Sequence, residues 1–246
     1  MATIDHVTLR VGDLDASLEL FSQSFALLDF GGRRFDGERF HEWNDFSVAA
    51  ADDGHPPTGG SHIGFAATSR AQVDGWWEAL TTTGYRDDGA PGPRPEYGPT
   101  YYGAFVRDPD DNSIEAVQHD TADPESGVID HLWIRVNDLA ATKRFYAAIA
   151  EATGARVRNR DDRLQVITES GTLSLLAGRP TRNLHLALGV GDAETVRMFH
   201  HAGLLAGGRD NGAPGERPQY HPGYYGAYLL DPDGNNVEAV WHNRSA

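Results

Sequence analysis

The sequence has no cysteine, no long apolar run and no excess of positive charge. Without cysteine the chain can form no disulfide, no thiolate metal site and no cysteine nucleophile. Its 36 acidic and 21 basic residues give a formal net charge of −15, which disfavours binding to nucleic acid or to an acidic membrane surface. These absences leave a small neutral, aromatic or metal-bound molecule as the expected partner.

The overall composition is that of a globular protein. The 246 residues are 39% hydrophobic and 23% charged, which is too even a mixture for a disordered chain. The first residues contain neither the basic segment nor the apolar segment of a secretory signal. We therefore expect a cytoplasmic protein, and a homo-oligomer is compatible with this composition.

The chain is a tandem repeat. Residues 86–119 and 209–242 are identical at 22 of 34 positions, and residues 4–17 match residues 129–142. A repeat of this period suits two domains of ordinary size. We predict one domain at 1–120 and a second at 128–246, joined by a polar linker at 121–127.

Within each repeat the same order of elements occurs twice: a strand, then a helix with an N-cap residue, then short strands. DHVTLRV alternates polar and apolar residues, and Asp13 is a suitable N-cap for the helix that follows. The weakest strand patterns lie around 46–50 and 173–177. The segments 89–99 and 212–223, rich in proline and glycine, are predicted as loops, and a DPDDN or DPDGN turn joins the last two strands. The predicted fold class is α+β, with two βαβββ-like halves in each repeat.

Two histidines and one glutamate recur at equivalent strand positions in both repeats. Strand periodicity places both histidines on polar strand faces. The second histidine of each repeat shares its face with very small residues, which leave a hollow. The glutamate lies between apolar residues, where an unpaired carboxylate would be costly to bury. Two imidazoles and a carboxylate suit Fe(II), Mn(II), Ni(II) or Zn(II) and leave coordination positions open. The six candidate ligands are His6, His62, Glu115, His131, His185 and Glu238.

The alternative is a structural role for these residues. The histidines could be satisfied by backbone groups, and the glutamates could pair with arginine. Recurrence of all three in both repeats favours a metal site, although a duplication also copies inert features. His119 and His242 recur too, but at about 3.3 Å per strand residue they lie about 13 Å from the glutamate, too far to bind the same ion.

These motifs resemble the vicinal oxygen chelate superfamily, which includes glyoxalases, bleomycin-resistance proteins and extradiol dioxygenases. The resemblance rests on IDHVTLRVGDLDAS and IDHLWIRVNDLAAT, on HIGFAA and HLALGV, and on YYGAFVRDPDDNSIEAV and YYGAYLLDPDGNNVEAV. It covers essentially the whole chain and implies paired βαβββ modules that curl into a U-shaped mixed sheet around a divalent metal. By this resemblance, the ligands would be His6, His62 and Glu115 in the first domain, and His131, His185 and Glu238 in the second.

Two departures from the family pattern bear on the reaction. Glyoxalase I-like members take a fourth ligand from the last strand of the first module, and neither NDFSVAAAD nor GTLSLLAG has a carboxylate aligned there. The second repeat follows most of the extradiol dioxygenase signature, with His221 and Tyr228 at its spacing, whereas Gly98 and Phe105 stand at these positions in the first repeat. The resemblance therefore favours Fe(II) and extradiol-type dioxygenase chemistry in the second repeat.

Within that hypothesis two residues have catalytic roles. His221 is the candidate acid or base, and Tyr228 is the candidate hydrogen-bond donor to a substrate oxygen. A glyoxalase-like lyase or isomerase is the alternative enzyme. A metal-free resistance protein that binds a planar antibiotic between aromatic walls is the alternative from another class, and metal content distinguishes it from the enzymes.

Overall fold

The computed structural model describes residues 1–32, 35–122 and 127–243. These residues form one βαβββ module four times in succession. The first module consists of β1 (Thr3–Val11), α1 (Leu14–Leu27), β2 (Phe35–Asp36), β3 (Phe40–Trp43) and β4 (Phe46–Ala50). The second consists of β5 (Ser61–Ala66), α2 (Arg70–Thr82), β6 (Asp87–Pro93), β7 (Tyr102–Arg107) and β8 (Ser113–Gln118).

The second repeat contains the other two modules. The third module consists of β9 (Ile129–Val136), α3 (Leu139–Thr153), β10 (Arg156–Asn159), β11 (Arg163–Ile167) and β12 (Thr172–Ala177). The fourth consists of β13 (His185–Gly189), α4 (Ala193–Leu205), β14 (Arg209–Glu216), β15 (Tyr224–Leu230) and β16 (Asn236–His242). The predicted α+β class with paired βαβββ modules is confirmed. No helix in the described part of the chain is long and apolar enough to cross a lipid bilayer.

The chain divides into two compact units. The terminal unit comprises Met1–Val7 and Trp133–Ala246, and the central unit comprises Thr8–Leu132. Their boundaries fall inside β1 and β9, so each unit contains one end of each of these strands. The domain limits at 120 and 128 stay a prediction, and residues 123–126 of the predicted linker lie outside the described residues.

The strand order determines which histidines meet. In the central unit the orders are β1-β4-β3-β2 and β9-β5-β8-β7-β6, and in the terminal unit they are β14-β15-β16-β13-β1 and β10-β11-β12-β9. The last strand of a module is parallel to its first strand in the pairs β5 with β8 and β13 with β16. The first strand of the chain therefore lies beside β13, and β9 lies beside β5.

Each helix begins at a side-chain cap. Asp13 caps α1, as predicted, by accepting a hydrogen bond from the backbone N–H of Ala16 at 3.0 Å. Ser69, Asp138 and Asp192 cap the other three helices. In the central unit Phe25 of α1 packs edge to face against Phe65 of β5, with ring centroids 4.8 Å apart. Burial of aromatic faces of this kind holds the helices on the sheets.

The segments rich in glycine and proline are partly strands, so the loop prediction is wrong for residues 89–93 and 212–216. They belong to β6 and β14. Among the described strands, both lie at a sheet edge, and both have register irregularities against the strand beside them. An edge position tolerates proline, because one side of the strand has no ladder hydrogen bonds to lose.

The DPDDN and DPDGN turns hold the glutamate strand against the histidine strand. In the first repeat the buried Asn112 side chain donates hydrogen bonds to Asp108 and to the Thr58 carbonyl, and it accepts one from the Ser61 N–H. In the second repeat Asn235 links Asp231 and Leu184 in the same way. The strands that carry the candidate ligands are thus registered by a buried polar network next to their first residues.

Candidate metal centres

The six predicted ligands form two clusters. The Glu115 site, in the central unit, comprises His62, Glu115 and His131. The Glu238 site, in the terminal unit, comprises His6, His185 and Glu238. In the described part of the chain each cluster has three members of the residue types that bind metals.

The predicted grouping of these ligands by domain is wrong. The structure places His6 with residues of the second repeat and His131 with residues of the first. The physical reason is the strand order, in which β1 lies beside β13 and β9 beside β5. Since β1 and β9 both carry Ile-Asp-His, no feature of the sequence shows which strand completes which site.

The Glu115 site is a compact triangle of ligand atoms. His62 Nε2 lies 3.0 Å from Glu115 Oε2, His131 Nε2 lies 3.2 Å from the same oxygen, and the two Nε2 atoms are 3.1 Å apart. Around an ion with bonds of about 2.1 Å, neighbouring ligand atoms are about 3.0 Å apart in an octahedron and about 3.4 Å apart in a tetrahedron. These three residues therefore fit a first-row divalent ion.

The Glu238 site is similar but wider. His6 Nε2 lies 2.9 Å from His185 Nε2, and His185 Nε2 lies 3.3 Å from Glu238 Oε2. The distance from His6 Nε2 to Glu238 Oε2 is 3.9 Å. The donor set of two imidazoles and one carboxylate is the same, so the site also fits a divalent ion.

An aspartate orients one histidine of each site. Asp130 Oδ1 lies 2.8 Å from His131 Nδ1, and Asp5 Oδ1 lies 2.7 Å from His6 Nδ1. A carboxylate that accepts the Nδ1 proton directs the Nε2 atom toward the metal position. Sequence analysis missed both aspartates, although each directly precedes a candidate ligand.

The second oxygen of each aspartate contacts the histidine that ends a repeat. His119 Nε2 lies 3.0 Å from Asp130 Oδ2, and His242 Nε2 lies 2.9 Å from Asp5 Oδ2. Among the described residues, neither histidine is a member of the two clusters. They support the aspartates that orient the ligands.

A tyrosine orients the glutamate of each site. The hydroxyl of Tyr101 donates to Glu115 Oε1 at 2.8 Å, and that of Tyr224 donates to Glu238 Oε1 at 2.6 Å. Burial and the neighbouring carboxylate raise the pKa of both tyrosines, so both remain protonated donors. Their signal in the sequence is the Tyr-Tyr-Gly-Ala motif in each repeat, which carries the family resemblance and otherwise suggests these tyrosines only as aromatic walls of an antibiotic site.

Glycine makes room for two of these groups. A Cβ atom on Gly64 would lie 2.2 Å from Cε1 of His131, so the hollow predicted beside His62 is filled by the third ligand. A Cβ atom on Gly103 would lie 2.2 Å from Glu115 Oε1. Real Cβ atoms do not approach other atoms so closely, and any side chain at either position would displace a ligand.

The two carboxylates around His131 in the Glu115 site favour a positive charge between them. Burial by itself raises the pKa of Glu115, but hydrogen bonds from His131 and His62 outweigh it and hold that pKa below its ordinary value. Burial opposes a charge on His131, yet Asp130 and Glu115 raise its pKa to about 10. The two carboxylates around this ring are balanced either by its extra proton or by a metal ion.

The two predicted catalytic residues lie in the terminal unit with the Glu238 site. Tyr228 lies directly across from Glu238 in the pairing of β15 with β16, and its ring centre is 6.4 Å from that of His185. Its buried hydroxyl makes no hydrogen bond of ordinary geometry among the described residues. Burial, the charge of Glu238 and nearby Tyr220 raise its pKa, so it is a protonated donor.

His221 stands one step further from the ligands. Its Nε2 lies 2.8 Å from Nδ1 of His242, and its Nδ1 lies 2.7 Å from the Pro222 carbonyl oxygen. His242 in turn contacts Asp5, which contacts His6. A hydrogen-bonded chain therefore runs from His221 to a candidate ligand, and Gly98 at the equivalent position of the first repeat cannot form it.

Comparisons with known proteins agree with this architecture. Residues 3–116 match the family model described as the Glyoxalase/Bleomycin resistance protein/Dioxygenase superfamily. Glyoxalase I from Zea mays is 22% identical and aligns over 98% of this chain and 93% of its own, with a TM-score of 0.70. A putative dioxygenase from Bacillus subtilis is 10% identical and aligns over 98% of this chain and 85% of its own, with a TM-score of 0.63.

At these identities the solved structures show the fold alone. No curated protein matches the sequence. The resemblance inferred from the motifs is confirmed by the family model and by the shared fold. Residues 3–116 of the chain thus match the model of the glyoxalase, bleomycin resistance protein and dioxygenase superfamily, and the chain along nearly all its length has the fold seen in glyoxalase I.

Proposed function

We propose that the chain is a metal-dependent enzyme acting on a small oxygenated molecule, aromatic ones included, with its catalytic centre at the Glu238 site. The observation that supports this most strongly is the cluster of His6, His185 and Glu238, whose donor atoms lie within 4.8 Å of one another. A bound divalent ion would supply a Lewis acid with open coordination positions. Because only three protein ligands are present among the described residues, two adjacent substrate oxygens would have room to bind.

The side chains around this site have distinct roles in the proposal. Tyr224 holds Glu238 in place, and Asp5 holds His6. Tyr228 has a buried hydroxyl with no ordinary partner among the described residues, so it donates a hydrogen bond to a substrate oxygen that carries negative charge. His221 exchanges a proton with the substrate or with solvent, and His242 fixes its ring.

For the reaction we propose extradiol-type dioxygenase chemistry with Fe(II). The support is the three-ligand donor set, together with His221 and Tyr228 at the spacing of the ring-cleaving signature. We keep a cytoplasmic location and a small-molecule substrate as part of this proposal. Fe(II)-loaded protein should then consume O₂ with a catechol-like or hydroxy-keto compound.

A glyoxalase-like lyase or isomerase is the second candidate. It is favoured by the likeness to maize glyoxalase I, which extends over 98% of this chain. The choice of metal distinguishes the two candidates. Turnover that needs Mn(II), Ni(II) or Zn(II) and consumes no O₂ would support the second candidate and contradict the first.

The deciding experiment is metal analysis of protein purified without oxygen, followed by reconstitution and a substrate panel. We expect at least one divalent ion per chain and up to two. A chain that binds no transition metal after reconstitution would contradict both enzymes and favour the metal-free antibiotic-binding protein. Retention of an aromatic antibiotic by such a chain would then identify that third function.

A further inference from the structure

Arg217 directly follows the edge strand β14, and backbone groups hold its guanidinium in place. Its Nη2 donates to the Ala213 carbonyl at 2.7 Å, and its Nη1 donates to the Glu216 carbonyl at 3.1 Å. The guanidinium carbon also lies 5.5 Å from the ring centre of Tyr228, which is within the range of a cation–π contact. Among the described residues, Arg217 forms no ion pair. The positive charge of this half-buried side chain is therefore not balanced by a carboxylate of the described chain.

Arg217 lies on the face of the sheet that carries Glu238. Tyr228 is paired directly with Glu238 between β15 and β16, and directly paired side chains point to the same face. The ring centre of Tyr228 is 6.4 Å from that of His185. The ring of Tyr228 thus lies near both a candidate metal ligand and the guanidinium of Arg217.

Two glycines of β14 leave room for the guanidinium and the ring. A Cβ atom on Gly215 would lie 2.9 Å from Nη1 of Arg217, and a Cβ atom on Gly212 would lie 2.8 Å from the ring of Tyr228. Real Cβ atoms do not approach other atoms so closely, so a side chain at either position would displace one of these groups. The edge strand therefore supports both groups next to the Glu238 site.

The guanidinium keeps donors for a further partner. A guanidinium has five N–H groups, and two of them donate to backbone carbonyls, which leaves one N–H on each of its three nitrogens. Two neighbouring N–H groups match the two oxygens of a carboxylate. Because the carbonyls already fix the side chain, little conformational freedom is lost when such a partner binds. Arg217 thus has the chemistry and the rigidity of a carboxylate-binding residue.

The surrounding charge makes this cation necessary for an anionic ligand. The chain has a formal net charge of −15, and the carboxylates of Glu238 and Asp5 lie at the site itself. These negative charges repel an anion unless a cation lies close to it. Arg217 provides that cation on the same face of the sheet.

The first repeat has the same arrangement. Nη2 of Arg94 donates to the Ala90 carbonyl at 2.7 Å, and the guanidinium carbon lies 5.4 Å from the ring centre of Phe105. In contrast, Arg107 of the first repeat is replaced by Leu230 in the second. Duplication has therefore not kept every arginine, but it has kept the one whose guanidinium lies beside the aromatic ring near the candidate ligands.

We propose that Arg217 binds a carboxylate of the substrate, so that the small oxygenated molecule acted on at the Glu238 site is a carboxylic acid. This deepens the proposed function and rests on it, because two other oxygens of the molecule bind at the metal position. The body of the molecule lies along the ring of Tyr228, between the metal position and Arg217. Arg217 is thus a specificity-determining residue that selects substrates by charge.

The experiment compares probes that differ in charge but hardly in shape. Protocatechuate and homoprotocatechuate each carry a carboxylate beside a catechol, and their primary amides are neutral. Isothermal titration calorimetry measures their binding to the full-length Glu115→Gln chain loaded with Zn(II), in which only the Glu238 site keeps all its candidate ligands. Zn(II) has no redox chemistry, so the probes are not oxidised. We expect at least one acid to bind at least about tenfold more tightly than its amide.

Two outcomes would contradict the proposals and can be told apart. Equal affinities within both pairs, or tighter binding of the amides, would overturn the inference and leave the proposed function standing. Failure of all four probes to bind the Zn(II)-loaded chain would contradict the chelation of neighbouring oxygens, on which the inference and the proposed function both depend.

Variants of the arginine assign the preference to its charge. In the same background, Arg217→Met should lower the affinity for the preferred acid about tenfold and change that for its amide less than about twofold. Arg217→Lys keeps the charge without the planar fork and should recover part of the loss. The matched control is Arg197→Met, which removes a guanidinium 5.7 Å from the ring of Tyr225, on the other face of β15. It should change neither affinity.

Thermal unfolding of each variant without ligand checks that the fold is retained. A folded Arg217→Met variant with an unchanged ratio of acid to amide affinity would overturn the inference, because a purely structural arginine affects both probes alike. The comparison of acid with amide in the Glu115→Gln chain does not depend on the folding of the Arg217 variants.

Discussion

The Glu115 and Glu238 sites present the same ligand types on equivalent strands, yet their surroundings differ. Both have an aspartate behind one histidine and a tyrosine on the glutamate. Only the second repeat has His221 and Tyr228, where the first has Gly98 and Phe105. Only the first has Ser113 and Asp88 behind its other histidine, where the second has amides.

The comparison separates two kinds of residue: those that would hold the metal ligands in place and those that would take part in a reaction at the metal. The aspartates and tyrosines that contact the candidate ligands are repeated, whereas the residues that would take part in a reaction differ. Ligands alone therefore do not identify the catalytic site. In our proposal the neighbouring His221 and Tyr228 make the Glu238 site the place of turnover.

The largest expected effect is loss of activity from ligand removal at one site only. His185→Ala should lower kcat/KM at least about 1,000-fold, because it removes a proposed metal ligand from the catalytic centre. His62→Ala, the matched control, should lower it less than about tenfold. Steady-state kinetics on protein reconstituted with the supporting metal measures both. Equal losses would mean two working sites, and the functional contrast between the repeats would disappear.

A smaller effect is expected from removing one hydroxyl group. Tyr228→Phe should lower kcat about 100-fold and change KM much less, because a donor to developing charge acts mainly in the transition state. Tyr225→Phe changes a tyrosine three residues away on the same strand and serves as the control. A rise in KM with unchanged kcat would assign Tyr228 to substrate binding instead.

Scaffold residues should behave alike in the two repeats. Asn112→Ala and Asn235→Ala each remove a buried side chain that joins the turn to the histidine strand. We expect each to lower the free energy of unfolding by about 2 kcal/mol, since buried backbone groups lose their partners. Chemical denaturation of the metal-free chain measures this. If only one of the two variants lowered the free energy of unfolding, the two turn networks would not be equivalent.

The sequence predicted the modules, and it named the six residues that the structure gathers into two clusters, for a local reason. Strand alternation, helix caps and the Asp-Pro turns are short-range signals, and duplication displays each one twice. His62 and Glu115 could be placed together because both lie in one repeat, on strands that the turn network registers. The hollow at Gly64 could be predicted for the same reason, because this very small residue lies next to His62 on one face of the strand.

The sequence could not predict which strand lies beside the strand of His6 and which lies beside the strand of His131. His6 and His131 lie on strands of nearly identical sequence, so the choice between β5 and β13 as their neighbour depends on long-range pairing. Likewise, the proline and glycine content of residues 89–93 and 212–216 predicted loops, but these residues form bulged edge strands. Asp5, Asp130, Tyr101 and Tyr224 were missed, because a role behind a ligand follows from contact rather than from pattern.

The smallest expected effect concerns the aspartates behind the first histidines, where the two sites should respond equally. Asp5→Asn and Asp130→Asn each keep the shape of the side chain but remove the charge that holds a ligating ring. Each should weaken Zn(II) binding at its own site about tenfold, the lower end of the range for such partners. Chelator competition in the Glu115→Gln and Glu238→Gln backgrounds measures the two effects separately. Because both aspartates also accept a hydrogen bond from a repeat-ending histidine, His242→Gln and His119→Gln should reproduce part of each loss. A response to Asp5→Asn alone would show that the two sites differ already at the residue next to the candidate ligand.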